Sequence, residues 1–305
     1  MNTRRPPVAP SSAFSRRPPS LAEETRAVLR TYGVRAKDQL GQNFLIDREA
    51  LDSIVQAADI ERDDQVLEVG PGIGTLTLAM AETGAGIVAI ELDRDMARIT
   101  AERTATYHKV RVHEGNVLHA DLSEVLDGSR PFKVVANIPY YITAPILRVF
   151  LEGPHRPSAL ILMVQKEVGE RLAAGPGALS AIALFAQVQA HVDILRQVPA
   201  TSFVPQPKVD SAVVRLRLRE TPLVPRADQQ FLYKIVKAGF SAKRKMVHNA
   251  LNHALPNSGE TIDAALRSVG IDRTRRAETL SIAEWQALTR VLRTDHQHTP
   301  KDQRL

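Results

Sequence analysis

Asn137, Ile138, Pro139 and Tyr140 stand in a row at the end of an apolar stretch, Phe132-Lys133-Val134-Val135-Ala136. As residue types they suit chemistry on the exocyclic amine of a nucleobase. Such an amine is a poor nucleophile, because its lone pair is delocalised into the ring. Two acceptors aimed at its N–H groups, the Asn137 side-chain oxygen and the backbone carbonyl at Ile138, favour a tetrahedral nitrogen whose lone pair points at an alkyl donor. Pro139 has a fixed φ and no N–H, which holds that carbonyl outward. Tyr140 offers a ring on which a base taken out of its stack can rest. This is catalysis by positioning rather than by strong acid or base. The same four residues also fit a plain strand-to-loop turn, where Asn and Pro are ordinary punctuation.

A second constellation precedes it. Val66-Leu67-Glu68-Val69 runs into Gly70-Pro71-Gly72-Ile73-Gly74, three glycines at a spacing of two, and Glu91 follows seventeen residues after the last. Glycines belong where a backbone turns tightly and a ligand approaches without interference from Cβ. A carboxylate at the end of the following strand can accept two hydrogen bonds from ribose hydroxyls. The dinucleotide pattern G-x-G-x-x-G is not met, since the third glycine comes one residue early and Thr75 takes its place. A nicotinamide oxidoreductase is therefore disfavoured, and a simple strand-to-helix connection is the bland alternative.

These residues need a scaffold, and the chain has the length for one. Its 305 residues are 44% hydrophobic, 24% charged and free of cysteine, which excludes disulfides, thiolate nucleophiles and Cys-ligated metal. No apolar run reaches the roughly 18 residues of a membrane span. Between about 47 and 160, short apolar runs at 65–69, 86–90, 109–112, 132–136 and 158–164 alternate with helix-length segments. That pattern predicts an α/β fold, a parallel sheet with helices on both faces. One more strand is expected at 213–218, and helical spacing follows from Asp228 through Val269. Four units result: a disordered basic arm over 1–20, rich in Arg and Pro, a sheet domain over 21–215, a smaller helical domain over 216–294 and a tail over 295–305. Within this scheme a helix over Leu21–Tyr32 is expected, with Ser20 and Glu23 in capping-box spacing.

The glycine turn followed by Ala89-Ile90-Glu91 resembles the S-adenosylmethionine site of Rossmann-like class I methyltransferases, and Asn-Ile-Pro-Tyr resembles the signature of amino-directed adenine methyltransferases. Three further stretches narrow the match: Gln39 onward through Asp47, Ser202 through Val214, and Gly239 through Val247. With these, residues 30–290 resemble the bacterial small-subunit ribosomal RNA dimethyladenosine transferases of the rRNA adenine N6-methyltransferase family. The resemblance implies N6,N6-dimethylation of two adjacent adenines in a hairpin loop near the 3′ end of small-subunit (16S) rRNA, during subunit biogenesis in the cytoplasm. It implies S-adenosyl-L-methionine as cofactor and the rRNA or pre-30S particle as partner, and a monomer is expected. Cofactor contacts are implied for Gln42, Asn43, Leu45, Gly70, Glu91, Asn116 and Asn137, with Tyr140 and Phe203 as base-stacking aromatics. At position 116 the family usually carries Asp, and this chain has Asn. The close rival is a large-subunit rRNA adenine methyltransferase of the antibiotic-resistance type, and a rival of another class is an RNA-binding assembly factor that needs no catalysis.

Charge is unevenly spread. Residues 1–40 carry eight basic and three acidic side chains, 41–200 fourteen and twenty-one, and 201–305 eighteen and ten. Basic ends around an acidic middle suggest that the ends meet a polyanion. Lys243, Arg244, Lys245, Arg273, Arg275 and Arg276 are the candidate RNA-binding residues, each cluster being equally readable as a solvated helix face. Arg215, Arg217 and Arg219 read as the wet face of an edge strand. His248 and His253 are five apart, off the spacing that puts two ligands on one helix face, and no metal is expected.

Overall fold

The computed structural model describes residues 18–242, 244–255 and 259–298, so Lys243 and all but the last three residues of the expected basic arm lie outside the described residues. Helix α1 (Leu21–Tyr32) starts with the expected capping box: Glu23 N donates to Ser20 Oγ at 3.3 Å, and the Glu23 carboxylate accepts from Ser20 N at 2.7 Å. In order follow β1 (Phe44–Leu45), α2 (Arg48–Ala58), β2 (Gln65–Val69), α3 (Thr75–Ala81), β3 (Gly86–Glu91), α4 (Arg94–Arg103) and β4 (Val110–Glu114). Next come β5 (Phe132–Asn137), α5 (Thr143–Glu152), β6 (Ala159–Gln165), α6 (Lys166–Ala173), α7 (Ala181–Gln189), β7 (Ala190–Val198), β8 (Phe203–Val204) and β9 (Ser211–Leu218). The chain ends in α8 (Arg226–Gly239), α9 (Val247–Ala254), α10 (Gly259–Ser268) and α11 (Ile282–His298).

Seven strands form one sheet in the order β4-β3-β2-β5-β6-β9-β7, and β1 pairs with β8 in a separate two-stranded ribbon. The five strands from β4 to β6 are parallel, while β9 runs antiparallel to both β6 and β7. Alternate side chains of each strand enter opposite cores, as the pleat requires. Val134 and Ala136 join α5 residues such as Ile146 and Phe150, whereas Val135 packs with Ile54 of α2 and Met80 of α3. Helices therefore do cover both faces. The chain leaves β2 toward β3 on one side and returns at β5 on the other, which opens a crevice at the carboxyl ends of β2 and β5.

Four expectations need correction. The segment between β4 and β5, residues 115–131, is a series of turns rather than a helix. Asp121 and Asp127 bond the backbone N–H groups of Ser123 and Ser129, and such local bonds compete with helix formation. Strand β9, bearing Arg215 and Arg217, is interior; the edge is β7, whose Asp193 pairs with both arginines. The break expected between 215 and 216 falls inside β9. Finally, α11 runs through His298, past the expected start of the tail.

The helices after β9 bury their own core around Leu232, Leu251, Leu266 and Trp285, and α7 contributes Ala183, Leu184 and Val188 to it. Since Ala186 of the same helix lies in the sheet's core, α7 is shared by both. Trp285 is fully buried, stacks on Phe240 at 5.9 Å, and leaves no space beside Gly239, where a Cβ would stand 2.5 Å from its ring. Gly239→Ala is therefore expected to destabilise the folded protein by about 2 kcal/mol through overpacking. A urea titration checks this; an unchanged midpoint would show that the ring moves aside freely.

Candidate active site

The crevice is lined by the ends of β2, β3 and β5 and by the β1 segment folded over them. Gly70, Gly72 and Gly74 adopt φ of 68°, 59° and 80°, left-handed values that side chains resist. Space also matters at two of them. A Cβ on Gly72 would stand 3.3 Å from the Phe44 ring, and one on Gly74 would stand 3.1 Å from Thr100. At Gly70 nothing lies within 4 Å of that position, so the backbone there borders open space.

Two carboxylates face this turn. Glu91 is buried and accepts from Gly72 N and Asp93 N, both at 2.9 Å. Burial raises its pKa, and the bonds from Asp93 and Gly72 only partly oppose that. Glu68, inside β2, is more extreme, being 1% exposed, with Oε2 lacking any hydrogen-bond partner. Burial pushes its carboxyl up to about 8; the nearby Thr77 hydroxyl opposes the shift and Glu91 adds to it. An orphaned carboxyl oxygen in the crevice wall fits a cationic ligand.

The loop before β1 closes the crevice from above. Lys37 Nζ binds Asp93 at 2.9 Å, Gln42 Nε2 donates to the other Asp93 oxygen at 2.9 Å, and Lys37 N donates to Gln42 Oε1 at 2.9 Å. Burial alone would raise the Asp93 carboxyl, but the bonds from Lys37 and Gln42 outweigh it and hold it below the ordinary range. Asn43 Nδ2 donates to Gly41 O at 3.0 Å, and Asn43 O in turn accepts from Asn137 Nδ2 at 3.3 Å. That last bond orients the Asn137 amide. With its nitrogen tied to the β1 segment, Oδ1 remains as a free acceptor. The Tyr140 hydroxyl meets Ser211 Oγ at 2.8 Å, which fixes its ring against β9.

The structure thus gathers Gln42, Asn43, Leu45, Gly70, Glu91, Asn116, Asn137, Ile138, Pro139 and Tyr140 around one crevice. Asn116 Oδ1 accepts from Leu118 N at 3.0 Å, and its amide nitrogen lies 3.4 Å from His119 Nδ1. Phe203 is not part of the lining. It is 2% exposed, pairs with Leu45 across the ribbon and packs in the core beneath α2, so its expected place as an open stacking surface is corrected. Tyr141, which the sequence did not single out, lines the mouth instead with 59% of its surface exposed. Glu68 was also missed, although a lone acid in an apolar strand was a signal.

The basic clusters divide. Arg273 pairs with Asp263 at 2.9 Å, Arg276 approaches Glu278 at 3.9 Å, and Arg275 is clamped by Glu284 at the start of α11. Arg275 is tied into the helical domain, whereas Arg273 and Arg276 remain about half exposed beside their acids. Arg244 and Lys245 are exposed at the turn before α9, with no ion pair shown. Among the described residues, no group of three or more His, Asp or Glu side chains is placed to hold a metal, and no helix is long and apolar enough to cross a membrane.

Among α/β folds, this strand order together with a glycine turn that departs from the dinucleotide spacing belongs to the Rossmann-like class I methyltransferases. The solved 23S rRNA methyltransferase ErmE superimposes with a TM-score of 0.67 at 27% identity, covering 82% of this chain and all of that one. A dimethyladenosine transferase from Plasmodium falciparum gives a TM-score of 0.69 at 24% identity, over 83% and 98% of the two chains, and supports the fold. The chain belongs to the ribosomal RNA adenine dimethylase family, which it matches over residues 33–293. Relatives named ribosomal RNA small subunit methyltransferase A are 41% identical in Alkaliphilus metalliredigens and 42% in Bacillus mycoides, over 88% of this chain and 95% of theirs.

Proposed function

We propose that this protein transfers methyl groups from S-adenosylmethionine to the N6 atoms of two adjacent adenines in the 3′-terminal hairpin loop of small-subunit rRNA, two methyls to each. The observation that carries the reading is the Asn137 amide, whose nitrogen is held by the Asn43 carbonyl so that its oxygen is left to accept from an amine. When bound, the cofactor supplies an electrophilic methyl on a sulfonium, with a neutral thioether as leaving group. Gly70 lets it approach the backbone, and Glu91 holds its ribose hydroxyls. Asn116 accepts from its adenine amine and, unlike the usual Asp, can also donate. Asn137 Oδ1 and the Ile138 carbonyl accept the two N–H groups of the target amine and turn its lone pair toward the methyl. Tyr140, with Tyr141 at the mouth, supports the base.

The partner is rRNA within an assembling small subunit, the place of action the cytoplasm, and the working form a monomer. Relatedness to the small-subunit enzymes over 88% of this chain and 95% of theirs favours this target over the large subunit. Mass spectrometry of nucleosides from unmethylated small subunits, incubated with protein and cofactor, tests it. The expected product is N6,N6-dimethyladenosine at two neighbouring positions; transfer confined to large-subunit RNA would move the assignment to the resistance branch.

A further inference from the structure

Arg273, Arg275 and Arg276 of the helical domain lie beside its own carboxylates, whereas a second set of arginines, on and just after α1, has no acidic partner among the described residues. Arg26 and Arg30 lie one turn apart on α1, and Arg35 follows the Gly33 turn; the three border an open groove floored by Leu29, Val34 and Pro205. All three are exposed, and none makes a side-chain hydrogen bond or ion pair with any described residue. The acids of α1 are turned to other uses: Glu23 caps the helix and Glu24 approaches Arg48 at 3.8 Å. Three neighbouring guanidinium groups without a counter-charge repel one another, so the groove suits a polyanion. The chain's own N-terminal arm, with Arg4, Arg5, Arg16 and Arg17, has the wrong sign to fill it.

Position supplies the second observation. The groove's wall at Val204 belongs to the two-stranded ribbon, where Val204 pairs with Phe44. Phe44 and its neighbours Asn43 and Leu45 face the crevice on the ribbon's other side, and Asn43 is the residue that orients Asn137. The ribbon therefore links the groove's wall to the segment that orients Asn137. The sheet region between 41 and 200 is acidic, so an RNA strand entering it needs local cations to hold its backbone. Arg26 and Arg30 project about 6 Å apart along one helix face, a spacing that successive phosphates of one strand can match.

We propose that Arg26, Arg30 and Arg35 form a phosphate-binding track for the single strand flanking the adenine in the crevice. This rests on rRNA being the substrate. The test is fluorescence anisotropy of an unmethylated small-subunit 3′ hairpin RNA over a KCl series, with the full chain, an Arg26→Gln/Arg30→Gln/Arg35→Gln variant and the corresponding triple Lys variant. The Gln variant is expected to bind on the order of tenfold or more weakly at 0.1 M salt, and to lose about 2 from the slope of log K against log salt, three single-strand contacts in all. The Lys variant should restore most of both, because phosphate neutralisation needs charge more than a planar fork. Calorimetric affinity for S-adenosylmethionine should be the same in all three proteins, which separates lost RNA contact from lost fold. Equal RNA affinity and slope in the Gln variant overturns the track while leaving the substrate intact. Loss confined to anionic vesicles or an acidic peptide, with RNA binding retained, overturns it in favour of another partner. Absence of binding by the unaltered chain to the hairpin and to unmethylated small subunits alike overturns the substrate and the track together.

Discussion

Asn137→Ala is expected to lower the rate of methyl transfer by roughly 10²–10³-fold, or about 3–4 kcal/mol, the loss typical of removing one preorganised polar group from a reacting centre. The side chain has two separable jobs. Its nitrogen donates to Asn43 O at 3.3 Å, which ties the end of β5 to the segment closing the crevice, and its oxygen is, in the proposed function, the acceptor of the target amine. Alanine removes both, and because Asn137 is only partly buried at a strand end, the fold should survive. Asn137→Asp separates the jobs. An oxygen acceptor remains, but the carboxylate faces the Asn43 carbonyl without a hydrogen to offer, so transfer should fall less than in the alanine variant. Single-turnover rates at saturating cofactor and RNA, with calorimetric cofactor affinity as the control for folding, make the comparison. Transfer by the alanine variant within tenfold of the unaltered protein would mean that backbone carbonyls alone orient the amine.

Much of this crevice was legible in the sequence because local rules and tertiary demands coincide there. The capping box of α1 needs only Ser20 and Glu23, and the glycine turn needs three residues that tolerate positive φ, so both follow from short spans. Buried parallel strands such as β2 and β5 announce themselves as apolar runs. What escaped detection depends on partners distant in the chain. Strand β7 is an edge whose exposed face carries polar and charged residues, including His191, Asp193 and Arg196, and its sequence shows no clean alternation. The burial of Phe203 is decided by the ribbon of β1 and β8, whose strands lie about 160 residues apart in the chain. Arg273, Arg275 and Arg276 look like a nucleic-acid patch until Asp263, Glu278 and Glu284 are seen beside them. Charge runs report composition; only the fold reports which charges remain unpaired.

Cofactor affinity is expected to rise with pH up to about 8 and then level off, and Glu68→Gln is expected to abolish that rise. The cause is a carboxyl with a folded pKa of about 8 against an ordinary value of 4.5, held up by burial, with Oε2 unpartnered in the crevice wall. Between those two values the unfolded chain carries Glu68 ionised while the folded protein retains its proton. The folded state then binds more protons, so stability falls as pH rises through this window, by on the order of 5 kcal/mol at most. Glutamine stays neutral throughout, so denaturant midpoints of Glu68→Gln should stay level where those of the unaltered protein decline. A ligand with a sulfonium and an ammonium favours the ionised acid. Its binding should therefore expel a proton at pH 7, with affinity climbing toward tenfold per pH unit. The demethylated product lacks the sulfonium charge and should show a shallower dependence. Calorimetry in two buffers of different ionisation enthalpy counts the released proton directly. Equal affinity from pH 6.5 to 9 in both proteins, with no proton released, would place the ligand's positive charge away from Glu68.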